Sequence, residues 1–296
     1  MSETAKTANS APWTKAARLR AMLRGAGVVR AVGAHDGLTA KLVEQASFEA
    51  IWASSFEISA AYGLPDASLV SMTQYLAAAV AMDAVTQIPV IADCDTGFGG
   101  PLNVAHAVRT YERAGIAAVC IEDKLFPKMN SFADTSQDLV PTEEFALKVK
   151  SGKEAQATAD FMLIARTEAF IAGMDTEQAL DRAHAYEAAG ADAILVHSKS
   201  RRPDQVLDFA ARWDGHVPLV AVPTTYDSVG EDALHEAGFQ LVIYANHGLR
   251  AAVRGVREAL RDLRTAGRAD AISDRIAPMA DIFALQDMPS PFRANP

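Results

Sequence analysis

Eight short apolar runs recur along the chain, at residues 28–33, 50–55, 89–93, 117–121, 161–166, 192–198, 218–223 and 240–246. Each is continuous rather than alternating, and a stretch with helical spacing separates one run from the next. A strand that is apolar on both faces has to be covered on both faces, which is the pattern of a parallel sheet packed under crossover helices. Three of the helical stretches close on the same pair, Ala114-Gly115, Ala189-Gly190 and Ala237-Gly238. Glycine ends a helix there at little steric cost. Eight repeated strand–helix units close a sheet on itself, so an α/β fold of the (β/α)8 barrel type is expected. A doubly wound open sheet is the rival, and the count of eight favours closure.

A barrel of this kind takes about 250 residues. The 296 residues therefore fit one barrel domain over 13–296, preceded by a polar tail over 1–12 that is expected to be disordered. Two more helices are expected beyond the eighth run, over 248–265 and 273–287. The second carries Ile276, Met279, Ile282, Phe283 and Leu285, an apolar face that needs a partner.

The net charge of −9 argues against nucleic acid as a partner. Two cysteines, Cys94 and Cys120, both in apolar surroundings, exclude a disulfide scaffold and point to a reduced, cytoplasmic setting. No apolar run approaches the ~20 residues of a membrane helix. The first dozen residues lack the apolar core of a secretion signal.

Residues at the C-terminal ends of barrel strands face one common pocket. Here those ends carry Ser54 and Ser55, Asp93 with Asp95, Glu122, Arg166, His197 with Ser198, and Asn246 with His247; Asp66 follows the second run in a loop. Four carboxylates, Asp66, Asp93, Asp95 and Glu122, aimed at one pocket would repel one another, and their ionisation would be costly. A hard divalent cation removes that cost. Oxygen donors without clustered cysteine or histidine fit Mg2+, with Mn2+ as a substitute. Arg166 adds a planar guanidinium suited to a carboxylate or phosphoryl group.

The fourth run leads into Glu122-Asp123-Lys124-Leu125-Phe126-Pro127-Lys128-Met129-Asn130-Ser131. The third leads into Asp93-Cys94-Asp95-Thr96-Gly97-Phe98-Gly99, and the second into Trp52-Ala53-Ser54-Ser55-Phe56. With Ala165-Arg166-Thr167-Glu168, His197-Ser198 and Tyr244-Ala245-Asn246-His247, these stretches resemble the phosphoenolpyruvate mutase family, within the isocitrate lyase superfamily of barrels. The resemblance runs over about residues 28–286. Cys94 and Phe98 depart mildly from the family's metal loop, and Ser55 stands where many relatives have glycine.

The resemblance implies that Asp93 binds Mg2+ directly and that Asp66, Asp95 and Glu122 bind through its waters. It makes Trp52, Ser54, Ser55 and Phe56 a substrate loop whose backbone N–H groups hold an anion. Arg166 is the family's substrate arginine, and His197 and Ser198 are expected at the phosphoryl end. The loop from Lys124 to Ser131 is expected to close as a lid, with Asp66, Lys124, Asn130 and Arg166 as the catalytic set. The implied reaction is Mg-dependent interconversion of phosphoenolpyruvate and 3-phosphonopyruvate by intramolecular phosphoryl transfer, an isomerisation that opens phosphonate biosynthesis. The implied assembly is a homo-oligomer, dimer or tetramer, whose last helix packs on a neighbour's barrel.

Phosphonopyruvate hydrolysis is the nearest alternative. Phe56-Glu57-Ile58-Ser59-Ala60 and Pro65-Asp66-Ala67-Ser68 look at least as much like the hydrolase. Asn130-Ser131 favours the mutase, because the hydrolase differs at that asparagine. Carbon–carbon lyases acting on 2-alkylmalate or isocitrate-like acids carry a cysteine in the lid, and Lys124-Leu125-Phe126-Pro127-Lys128 has none. A non-catalytic metabolite-binding barrel is the reading from another class, and the intact carboxylates, arginine and lid argue against it.

Overall fold

The computed structural model of the protein describes residues 13–289. The elements run α1 (Lys15–Leu23), β1 (Val29–Ala34), α2 (Gly37–Gln45), β2 (Ala50–Ala53), α3 (Ser55–Ala61), α4 (Met72–Ala84), β3 (Val90–Asp93), α5 (Pro101–Arg113), β4 (Ala118–Glu122) and α6 (Thr142–Ala155). They continue through β5 (Met162–Thr167), α7 (Thr176–Ala188), β6 (Ala193–Val196), α8 (Asp204–Arg212), β7 (Leu219–Ala221), α9 (Glu231–Glu236), β8 (Phe239–Tyr244) and α10 (His247–Ala266). A 3-10 turn, Ala269–Ile272, and α11 (Met279–Leu285) follow. The eight strands are parallel, each pairs with the next, and β1 pairs with β8, so the expected (β/α)8 barrel forms.

Local chemistry sets the helix ends. Asp36, Ser71 and Asp175 each begin a helix with a reciprocal side-chain and backbone cap. Gly115, Gly190 and Gly238 follow helix ends at positive φ.

The strands sort their side chains by parity. Ala50 and Trp52, Ile91, Ala118 and Cys120, Met162 and Ile164, and Leu195 share one buried cluster, together with Leu19 and Leu23 of α1. This cluster fills the barrel lumen, and α1 closes its floor. The intervening residues, such as Ile51, Val90, Val119, Leu163 and Ile194, join a second cluster under the helices. A period of two then decides what stands at the mouth. Asp93, Glu122, Arg166 and His197 lie two residues beyond Ile91, Cys120, Ile164 and Leu195, and so continue the inward series. Gly33 continues it on β1, where a Cβ would lie 2.2 Å from the Ala245 carbonyl oxygen and 2.4 Å from Glu57 Oε1.

Two expectations are corrected. The second strand, expected through residue 55, stops at Ala53. Ser54 accepts a hydrogen bond from the Glu57 N–H and starts α3 instead. The helix expected over 273–287 shrinks to Met279–Leu285. Pro278 caps it: proline has no N–H to give and pushes the residue before it out of helical geometry. Ile276 therefore lies outside the helix, and it stays exposed together with Met279 and Phe283. The tail over 1–12 lies outside the described residues. Among the described residues no helix is long and apolar enough to cross a membrane.

Candidate active site

A cavity of about 390 Å³ opens at the C-terminal mouth of the barrel. Its wall includes Trp52, Ser54, Ser55, Phe56, Asp66, Asp93, Lys128, Asn130, Arg166 and His197. Most of the residues singled out in the sequence thus meet in one place. Asp95, Glu122, Lys124 and Ser198 do not line the cavity, and their contacts show what they do instead.

Asp93 ends β3, and its Oδ2 accepts a 2.8 Å hydrogen bond from Ser55 Oγ. Ser55, which the resemblance sets where many relatives have glycine, therefore reaches the carboxylate directly. The next turn is strained. Asp95 and Phe98 sit in the left-handed region, at φ 49° and 62°. Gly97 is required as well, because a Cβ there would lie 2.4 Å from Val104. Backbone bonds hold the turn in place: Gly97 N–H to Cys94 O at 2.9 Å, and Glu122 N–H to Asp95 O at 2.8 Å.

The segment after β4 folds down over the mouth. It starts with a bridge between Lys124 and Leu139 and a 2.9 Å bond from Leu125 N–H to Asp138 O. Its tip rests on the loop after α3. Lys128 N–H donates to Ser68 Oγ at 3.1 Å, and Asn130 N–H donates to Asp66 O at 3.1 Å. The Asn130 side chain donates from Nδ2 to Asp66 Oδ2 at 2.8 Å and accepts at Oδ1 from Phe132 N–H at 3.0 Å.

The lid delivers an ammonium group into the carboxylates. Lys128 Nζ donates to Asp66 Oδ2 at 2.9 Å and stands 2.9 Å from Asp66 Oδ1 and 3.1 Å from Asp95 Oδ1. The latter two are charge contacts without an aligned hydrogen bond, and Glu122 Oε1 is likewise buried without one. Burial pushes the Asp95 carboxyl above its ordinary range, and it pushes Glu122 up to about 7 against the pull of Arg166 and Lys128. Burial also opposes the charge on Lys128, but Asp95, Glu122, Asp66 and Asp93 together hold its ammonium well above the ordinary value.

These residues fit Mg2+. Among the described residues no three acidic, histidine or cysteine side chains converge tightly enough to hold an ion directly. Mg2+ does not demand that, since it usually keeps several waters and takes one or two carboxylates. Hard oxygen donors with unbonded lone pairs on Asp66, Asp95 and Glu122 are the chemistry such an ion takes, and the Lys128 ammonium supplies here the positive charge that it would bring.

Asp123 turns away from the cavity. Its Oδ1 accepts from Glu168 N–H at 2.8 Å. Its Oδ2 accepts from Tyr186 OH at 2.7 Å, Arg182 Nη1 at 3.1 Å and Thr167 Oγ1 at 3.2 Å. It pins β4 to β5 and α7. Lys124 is buried, and its Nζ donates to Met129 O at 2.9 Å and Ser131 Oγ at 2.7 Å, so it braces the base of the lid. Ser198 donates to Gln205 Oε1 at 2.6 Å and faces α8.

Arg166 and His197 form the opposite wall. Arg166 Nε lies 3.2 Å from Glu122 Oε2 and donates to Glu168 Oε1 at 2.5 Å. Arg166 Nη2 lies 2.8 Å from His197 Nδ1, which is itself 2.8 Å from Glu168 Oε1. Burial holds the imidazole below its ordinary pKa despite the nearby Glu168. It is therefore neutral at pH 7. Lys128 and Glu168 were missed as site residues in the sequence. The available signals were a lysine two positions before Asn130 and a carboxylate two positions after Arg166.

The family model described as phosphoenolpyruvate phosphomutase matches residues 19–264. A phosphonopyruvate hydrolase from Variovorax sp. (strain Pal2) is 46% identical over 92% of this chain and 95% of its own. The crystal structure of a phosphoenolpyruvate phosphomutase from Streptomyces platensis subsp. rosaceus is 51% identical, superposes with a TM-score of 0.91, and covers 92% of this chain and 95% of that one. A phosphonopyruvate hydrolase complexed with oxalate and Mg++ is 44% identical, with a TM-score of 0.88 over 93% of this chain and 95% of that one. The match extends across the barrel that brings the carboxylates, Arg166 and the lid to one mouth, and the chain belongs to the phosphoenolpyruvate phosphomutase family.

Proposed function

We propose that this enzyme interconverts phosphoenolpyruvate and 3-phosphonopyruvate. The observation that carries the proposal is Asn130. Its amide stands in the cavity wall with one N–H on Asp66, and an amide nitrogen has a second hydrogen to give. That donor, beside the Lys128 ammonium and across from Arg166, suits a phosphoryl group passing between the enol oxygen and C3.

Asp66, Asp93, Asp95 and Glu122 would hold Mg2+, which supplies positive charge to the enolate oxygens. Arg166 donates to the pyruvyl carboxylate or enolate, where charge develops in the transition state. His197, Trp52 and the start of α3 at Ser54, Ser55 and Phe56 shape the rest of the pocket. Phosphoryl transfer is loose and metaphosphate-like, so the protein's task is to position the ends and keep water out. The lid does the second by its bonds to Asp66 and Ser68. Asp66, already bonded to Asn130, is the side chain placed to take the phosphoryl group if it pauses on the protein. Phosphonopyruvate hydrolysis is the alternative, favoured by the Variovorax relative. Phosphorus NMR on phosphonopyruvate with Mg2+ decides between them. Phosphoenolpyruvate is expected; inorganic phosphate as the main product would replace the mutase with the hydrolase.

The proposal extends to a cytoplasmic enzyme at the entry to phosphonate biosynthesis that also accepts Mn2+, with residues 13–296 as one domain. It includes a homo-oligomer, dimer or tetramer, that exchanges C-terminal helices. Val256 and Leu260 on α10, with Ile276, Met279 and Phe283, are exposed apolar residues that such an exchange covers. Light scattering that gives a monomer at micromolar concentration would refute the assembly.

A further inference from the structure

We propose that Glu168 is a positioning residue that makes lid closure and anion binding on Arg166 favour each other. Glu168 is fully buried, and its two oxygens serve different elements. Oε1 takes Arg166 Nε at 2.5 Å and His197 Nδ1 at 2.8 Å, both on the cavity wall. Oε2 takes Ser131 Oγ at 2.6 Å and lies 3.3 Å from Lys124 Nζ, both at the base of the lid. The backbone of Glu168 is fixed independently, through its N–H bond of 2.8 Å to Asp123 Oδ1.

A buried carboxylate must keep its compensating charges. When the lid lifts, Ser131 and Lys124 leave Oε2, and the charge of Glu168 falls on Arg166, with the neutral His197 imidazole beside it only as a hydrogen-bond partner. The guanidinium is then engaged by Glu168 and is a poorer donor to an incoming anion. When the lid is down, as here, Lys124 and Ser131 carry part of that charge, so Arg166, still bonded to Glu168 through Nε, is held less strongly and is a better donor to an anion. By linkage the converse holds: an anion on Arg166 draws the guanidinium from Glu168, which then holds Lys124 and Ser131 more strongly. The device thereby ties exclusion of water to the presence of substrate. It rests on the proposed function only in taking the natural anion to be the pyruvyl substrate.

The test uses oxalate with saturating Mg2+ as the probe, on wild type, Glu168→Gln and Ser131→Ala. Amide hydrogen exchange over residues 125–139 reports the lid, and calorimetry reports oxalate binding. In wild type, oxalate should slow exchange of the lid amides. In Glu168→Gln, which keeps the shape and loses the charge, oxalate should bind at least as tightly, while the protection it confers falls about 10-fold, within the usual range of coupling between sites. In turnover, kcat should fall without a rise in KM. Ser131→Ala keeps Glu168 and its charge but removes the lid hydroxyl from Oε2, together with that hydroxyl's weaker 3.3 Å contact from Arg166 Nη2. It should lose protection in the same direction, so it decides the matter if Glu168→Gln does not fold. Oxalate protection at the wild-type level in the variants, or none in wild type, would overturn the proposal. Failure of the mutase assignment would appear separately, as inorganic phosphate from phosphonopyruvate with oxalate protection intact.

Discussion

Replacing Lys128 with methionine tests whether a lid lysine stands in for a metal ion. Methionine keeps most of the aliphatic stem and fills the same channel. The substitution removes the ammonium that contacts both oxygens of Asp66 at 2.9 Å and Asp95 at 3.1 Å. Removing one partner of a buried ion pair typically costs about 3–5 kcal/mol. Proton uptake limits the loss, because burial already raises the Asp95 and Glu122 carboxyls, so the lower end of that range applies near pH 7. Unfolding entropy of about 2.1 cal/mol/K per residue amounts to roughly 0.6 kcal/mol/K for a chain this long, so 3 kcal/mol lowers Tm by about 5 °C. Mg2+ should reverse the loss. In wild type the cation has to displace Lys128 from Asp66 and Asp95; in the variant that step is absent. The same 3 kcal/mol appears as roughly 150-fold tighter Mg2+ binding. Thermal unfolding in EDTA and across a Mg2+ titration, with calorimetric Kd values for Mg2+, measures both effects. An equal Tm loss with and without Mg2+, or an unchanged Kd, would refute the reasoning.

The metal-free protein should lose stability as pH rises. Glu122 titrates at about 7 in the fold against 4.5 when unfolded. At Glu122 the native state therefore binds more protons between those values, and this group's contribution, roughly 3 kcal/mol at about 1.4 kcal/mol per pKa unit, disappears across that window, while His197, held below its ordinary value of 6.5, works in the opposite direction up to that pH. Denaturation in EDTA at pH 5, 6, 7 and 8 on wild type and Glu122→Gln checks this, and a wild-type profile with the same slope as the variant's counts against the carboxylate cluster. Asn130→Ala removes a donor to a charged group, about 1.5–3 kcal/mol, so isomerisation should slow roughly 10- to 150-fold while the phosphate fraction of the product rises. Isomerisation at the wild-type rate would remove Asn130 from the phosphoryl path. Asp123→Ala should cost about 3–5 kcal/mol of stability by leaving Arg182 buried without its carboxylate. A Tm within a degree of wild type would show that the pin is dispensable.

The barrel was legible in the sequence because its causes are local. Continuous apolar runs, helix stops at Gly115, Gly190 and Gly238, and caps at Asp36, Ser71 and Asp175 act within a few residues and need no partner far along the chain. Asp93, Glu122, Arg166 and His197 were legible for a related reason: strand parity sends the residue two beyond an inward apolar one to the mouth. The break at Pro278 was also present in the sequence, where the apolar spacing of 273–287 obscured it. What the sequence left open is how a single charge is shared across distant segments. Nothing within a short window says that Lys128 crosses to Asp66, 62 residues away. Nor does it show that Asp123 belongs to Arg182 and Tyr186 rather than to the cavity, or that Glu168 divides its oxygens between the wall and the lid. Those pairings exist only once the sheet has closed, when burial makes each unpaired charge costly and the nearest available partner is set by the geometry of the barrel mouth.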